Sequence, residues 1–140
     1  MPSTIKPTPI ALVVCDNIYA EPGGKVALIG LFSSVQTKEL PAVLHRMAVF
    51  ASLTDLRDGS FAKIEIVHGE TDKVIVAAQG PFPAGYTPLT VVDMNFVFGN
   101  VSFPEEGTYF IRFWANDHLL IMRPFQVGLI KTKGDRKNGN

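Results

Sequence analysis

Proline and glycine punctuate this chain, with twelve glycines and ten prolines in 140 residues, and they fall mostly between short apolar runs. Proline breaks a helix interior and glycine weakens it, so the spacing leaves no convincing helix. The runs are Ile10 to Ala20, Lys25 to Val35, Leu44 to Leu53, Phe61 to His68, Val74 to Ala78, Thr90 to Val101, Thr108 to Ala115 and Leu119 to Val127. The clearest of them alternates with period two: Val92, Met94, Phe96 and Phe98 on one face, Asp93 and Asn95 with Val91 and Val97 on the other. Turn signals separate the runs, among them EPGG at 21–24, the Asp58-Gly59 pair, and Asn116-Asp117-His118. Alternating strands at this spacing predict an all-β fold, a two-sheet antiparallel β-sandwich of about eight strands. The segment GPFPAGYTP at 80–88 carries three prolines and reads as a crossover between sheets, the alternative being a proline-rich ligand for an aromatic groove.

The length suits one domain, placed at 10–128, with an extended arm over 1–9 and a polar tail over 129–140. Formal net charge is zero, which removes the electrostatic basis for a nucleic-acid or anionic-membrane partner. The tail's Lys131, Lys133, Arg136 and Lys137 are too few to change that. Cys15 is the only cysteine, so no intrachain disulfide forms and an oxidising compartment offers the fold nothing. The apolar run at Ile10 to Cys15 is shorter than the roughly 7–15 residues of a signal core, and Val14 stands where a lipoprotein box needs a small residue. The expectation is a cytoplasmic protein.

One stretch carries a more specific pattern. In EEGTYFIRFWA, Glu105, Gly107, Tyr109 and Ile111 follow at steps of two. This resembles the tyrosine corner of immunoglobulin-like sandwiches, in which a tyrosine near the start of the penultimate strand turns its hydroxyl onto upstream backbone. Antibody domains have cysteine where Ile111 stands, so the likeness is to disulfide-free relatives, with a C2-like sandwich as the alternative. The run from CDNIYAEPGGKVALIGLF through the Leu40-Pro41 pair to FPEEGTYFIRFWAND is similar to a family of small uncharacterised bacterial β-sandwich proteins, over roughly 10–128. The resemblance implies the fold and no activity, cofactor or site residue.

Chemistry-bearing constellations are sparse. His45, His68 and His118 have no second ligand at metal-binding spacing, and Asp55, Asp58, Asp93 and Asp117 form no Asp-x-Asp. Cys15 sits inside an apolar strand, where a thiol is inert, and Asp16 points to the opposite face. PGGK at 22–25 lacks phosphate-loop spacing. The expectation is therefore no catalytic residue, no metal and no cofactor. What stands out is a second apolar face. Tyr109, Ile111 and Phe113 share the core side of their strand, which leaves Phe110, Arg112 and Trp114 outside, and the strand over 43–53 is two-sided as well. The outer face of a sandwich should be polar. Cover by the 80–88 segment, through Phe82 and Tyr86, or by another subunit would account for it. Aromatics with arginine are enriched at interface centres, so Phe110, Arg112 and Trp114 are the candidate contact, with a homodimer or another protein as partner. The competing expectation is a small-molecule or carbohydrate site built from Trp114, Asn116 and Asp117.

Overall fold

The computed structural model describes residues 5–58 and 61–130. They form nine strands: β1 (Thr8–Ala20), β2 (Val26–Leu31), β3 (Ser34–Thr37), β4 (Ala42–Thr54), β5 (Phe61–His68), β6 (Val74–Pro81), β7 (Val92–Phe103), β8 (Gly107–Ala115) and β9 (His118–Leu129). Two sheets carry them, a four-stranded one in the order β2-β1-β4-β7 and a five-stranded one in the order β3-β9-β8-β5-β6. No described helix is long and apolar enough to cross a membrane. Pairing is antiparallel except between β3 and β9.

The sandwich predicted from the spacing is present, with nine strands instead of about eight. The extra strand comes from the run Lys25 to Val35, which divides at Phe32 and Ser33. Residues 26–31 pair with β1, and 34–37 cross to β9 in the other sheet. The expected arm overlaps β1, which begins at Thr8, and Pro7 is already buried. The expected tail overlaps the end of β9, and Ile130 N–H donates to Thr37 C=O; residues 1–4 and 131–140 lie outside the described residues.

Period two sets the core. Leu12 and Val14 of β1, Met47, Val49, Ala51 and Leu53 of β4, and Phe96 and Phe98 of β7 face Ile64 and Ile66 of β5, Ile111 and Phe113 of β8, and Phe125 of β9. Each such burial contributes about 1.5–3 kcal/mol against exposure. Alternation in β4 reverses at His45 and Arg46, so that Ala42 and Leu44 also pack on the core. The reversal lies opposite Gly99 and Asn100, where Asn100 takes a left-handed φ of 52°. The segment after β6 closes one end of the sandwich. Phe82 is buried and Tyr86 packs against the core, so neither covers an outer face, and Asp55 N–H donates to Pro88 C=O to hold the crossover down.

Aromatic rings close the opposite end. Phe103 stacks on Phe125 at 5.3 Å, and Tyr109 meets Phe103 edge-on at 5.0 Å and His68 at 5.2 Å. The buried Tyr109 hydroxyl donates to Glu105 C=O at 2.7 Å and accepts from Glu105 N–H at 3.2 Å. Gly107 between them takes a φ of 133°, open to glycine and strained for other residues. The hydroxyl thus bonds backbone four residues upstream, at the entry to β8. Burial raises the Tyr109 phenol above its ordinary range, so the hydroxyl stays protonated and able to donate. Tyr109→Phe removes both bonds without emptying the core, and we expect a loss of about 1–3 kcal/mol in urea unfolding with the slope unchanged. A loss below about 0.5 kcal/mol would show that the corner contributes only its ring.

Candidate functional site

The alternation of β8 places Phe110, Arg112 and Trp114 together on the outer face of the five-stranded sheet, as the sequence predicts. Register with β5 sets Lys63 beside Trp114, Glu65 beside Arg112 and Val67 beside Phe110. These neighbours bond to one another. The Trp114 indole N–H donates to Glu65 Oε1 at 2.8 Å, and the Lys63 ammonium lies 5.0 Å above the indole ring. The Arg112 guanidinium lies 3.6 Å from Glu65 Oε1 and donates to Asp72 Oδ1 at 2.8 Å. Phe110 packs against Gly69, where a Cβ would lie 2.5 Å from the Thr108 carbonyl oxygen and 3.4 Å from the Phe110 ring. Cover for this row therefore comes from cross-strand side chains, a source the sequence reading did not weigh. Glu65 is buried on an outer face, and Arg112 Nε is buried with no partner among the described residues.

The four-stranded sheet is different. On its outer face Tyr19, Ile29, Leu31 and Val97 are 53%, 52%, 63% and 53% exposed. The β1–β2 register sets Cys15 beside Leu31, Asn17 beside Ile29 and Tyr19 beside Ala27, all on one side. Val13 beside Phe50 and Cys15 beside Ala48 continue that side into β4, and Ala48 beside Val97 carries it to β7. Cys15 and Ala48 are fully buried, although they lie outside the inter-sheet core, so they form a small-residue floor between larger neighbours. One polar pair lies within this group, Arg46 donating to Asn17 Oδ1 beside Ile29, and another at its margin, Ser52 Oγ donating to Asp93 Oδ1 at 2.8 Å. Sequence reasoning passed over this surface. The signal was Tyr19 with the odd positions Ala27, Ile29 and Leu31, but it needed the β1–β2 pairing to put them on one face.

The Cys15 thiol donates to Asn17 C=O at 3.4 Å, and burial pushes its pKa up. A raised pKa keeps the thiol protonated at neutral pH, where it is a poor nucleophile. We expect native chain to resist a thiol-specific disulfide reagent at pH 8 and to react at once when unfolded in urea. Rapid reaction in the native state would show that the sheet opens at β1.

Two grooves meet at the aromatic end, of about 450 and 260 Å³, and both are lined by His68 and Glu105. His68 Nε2 is 3.1 Å from Glu105 Oε2, and its Nδ1 accepts from Glu70 N–H at 3.2 Å. Both ring nitrogens thus serve the turn and the corner. Trp114 and Asn116, the proposed sugar-contact residues, are also bonded within the chain. Asn116 accepts from Phe61 N–H at 3.1 Å and donates to the Asp58 carbonyl oxygen at 2.8 Å.

The buried Glu65 carboxylate depends on its cation. Arg112→Met leaves that charge with the indole N–H as its hydrogen-bond donor among the described residues, and we expect a loss of about 2–3 kcal/mol, below the fully buried range because Arg112 is partly solvated. Glu65→Gln with Arg112→Met should recover at least about 1 kcal/mol of it in a double-mutant cycle. Simple additivity would show that the pair is held by solvent and not by each other.

No curated protein matches the chain. A family model does match, over residues 10–128, the span of the sandwich from β1 to the last core strand. The chain belongs to that family, described as a family of unknown function, DUF6941.

Proposed function

We propose that this chain is a non-catalytic protein-binding or assembly module of the cytoplasm, built on an immunoglobulin-like sandwich. The immunoglobulin-like reading draws support from the strand order β3-β9-β8-β5-β6, from β3 running parallel to β9, and from the tyrosine corner at the start of β8. The binding reading rests on one observation: Tyr19, Ile29, Leu31 and Val97 are each more than half exposed on a continuous side of the four-stranded sheet. Large apolar side chains gathered on one surface, around polar groups that are already paired within the chain, are the anatomy of an interface. Fold alone does not decide function, so the weight falls on the surface.

The face around Phe110, Arg112 and Trp114 is the second candidate contact. Met122, half exposed and beside Arg112 in register, favours keeping it. A rigid row of this kind would act as a positioned anchor, with less apolar area to bury than the other face.

Ile29→Glu with Leu31→Glu charges the first surface, and Trp114→Arg alters the second. The pair of glutamates replaces no core residue, so its melting temperature should hold. Affinity capture from native-host extract with wild type and both variants, compared by quantitative mass spectrometry, separates the readings. We expect at least one wild-type partner to be lost by a factor of about ten or more with the glutamates, since a few central residues dominate interface energy. Loss only with Trp114→Arg would move the contact to the other face, and identical capture by all three would overturn the reading.

A further inference from the structure

The five-stranded sheet ends in β6, and no described strand pairs with its outer edge. Phe61 directs both main-chain groups toward β8: its carbonyl accepts from Asn116 N–H at 2.9 Å, and its own N–H donates to Asn116 Oδ1 at 3.1 Å. At the far end of the same strand Gly69 N–H donates to Thr108 C=O, while His68 N–H donates the other way, to Lys73 C=O. Odd residues of this stretch therefore bond β8, and even residues bond β6. In register Ala62 faces Gly80 and Ile64 faces Ala78. Gly80 and Ala78 thus turn their main-chain groups to β5, and Ala77 and Gln79 turn theirs outward. Pro81, the next outward position, has no N–H. On the other side the register shift between Ile66 and Val67 leaves Ile75 without a counterpart. The free edge is a short window at Ala77 and Gln79, framed by an irregularity and a proline.

We propose that two copies of this chain pair through β6, antiparallel about a two-fold axis at Ala78, so that their five-stranded sheets become one. The window matches itself. Pairing about Ala78 sets Ala77 opposite Gln79 twice over, and the outward N–H and C=O groups of these residues satisfy one another. Ala78 then meets its own symmetry mate at a closely spaced, non-hydrogen-bonded position, where a methyl group fits. Pro81 falls opposite Ile75, so the missing N–H coincides with the irregularity. No residue from Val74 to Pro81 is charged, and the chain's net charge is zero, so the two-fold opposes no like charges. The other edges are less regular: Gly30 interrupts β2 with a φ of 72°, β3 has four residues, and β7 carries Asp93 and a left-handed Asn100. This surface is separate from the exposed apolar face, and the proposal does not depend on that face.

Sedimentation velocity of the full chain from about 5 to 500 µM tests it by mass action. The expected result is a species approaching twice 15.3 kDa as concentration rises. Ala77→Lys with Gln79→Lys should weaken dimerisation at least about tenfold, because lysine then opposes lysine across the axis. Mixing that variant with Ala77→Glu/Gln79→Glu should restore a dimer. Ala77→Pro, which removes an outward donor and leaves the bonds to β5 in place, should also dissociate it, and circular dichroism confirms the fold of each variant. A wild-type monomer across the range overturns the proposal. So does a dimer that survives the edge variants and falls apart with Ile29→Glu/Leu31→Glu, an outcome that would leave the apolar face standing as the contact.

Discussion

Tyr109 satisfies two requirements that conflict at most positions of a sandwich. Its ring is fully buried between Phe103 and His68, and its hydroxyl must still find partners where water cannot reach. The Glu105 backbone supplies both a donor and an acceptor, because Gly107 lets the chain turn back sharply enough to bring them within reach. The turn fixes where β8 begins. β8 lies between β9 and β5, so its start sets the register of the central strands of the five-stranded sheet. The inward row Tyr109, Ile111 and Phe113 follows, and the outward row Phe110, Arg112 and Trp114 follows with it.

The two outer faces solve the same problem in different ways. On the five-stranded sheet, long side chains lean across neighbouring strands: lysine over indole, indole onto carboxylate, guanidinium between two carboxylates. Each cross-strand contact contributes about 0.2–1 kcal/mol, and together they remove most of the apolar surface from water. On the four-stranded sheet the central positions are Cys15 and Ala48, too short to lean anywhere. Their neighbours close over them and stay exposed themselves, so the apolar surface is moved outward and not removed. That difference, and not hydrophobicity in the sequence, is what distinguishes the covered face from the exposed one.

The fold was legible in the sequence because period two, turn residues and the tyrosine spacing are all local signals. Val92 to Phe98 could be assigned to a face without knowing any neighbour. The division of Lys25 to Val35 could not be, since nothing local marks Phe32 and Ser33 as the place where the chain changes sheets. The candidate contact was legible only in part. Phe110, Arg112 and Trp114 do share an outer face, but their burial depends on Lys63 and Glu65, opposite in register, and on Asp72 in the turn after β5, all distant in sequence. The exposure of Ile29 and Leu31 had the same cause: which side of β2 faces the core is decided by its pairing with β1.

Edges impose a constraint that faces do not. A sandwich leaves unpaired backbone on each outermost strand, and a long regular edge invites pairing with another chain. β2 is broken by Gly30, which lies across from Asp16 so closely that any Cβ there would meet the carboxylate. β3 has four residues, too short to offer a long edge. β7 is long, but Asp93 near its start and the left-handed Asn100 near its end interrupt any incoming strand. On β6 the protection is confined to the two ends, at Ile75 and Pro81, and the middle is valine, two alanines, glutamine and glycine, none of them charged. A stretch with no charge and no proline does nothing to keep a second backbone away. An edge guarded at both ends and left bare between them sets a length and a register for whatever pairs with it, which a uniformly charged edge would prevent and a uniformly apolar one would leave undefined.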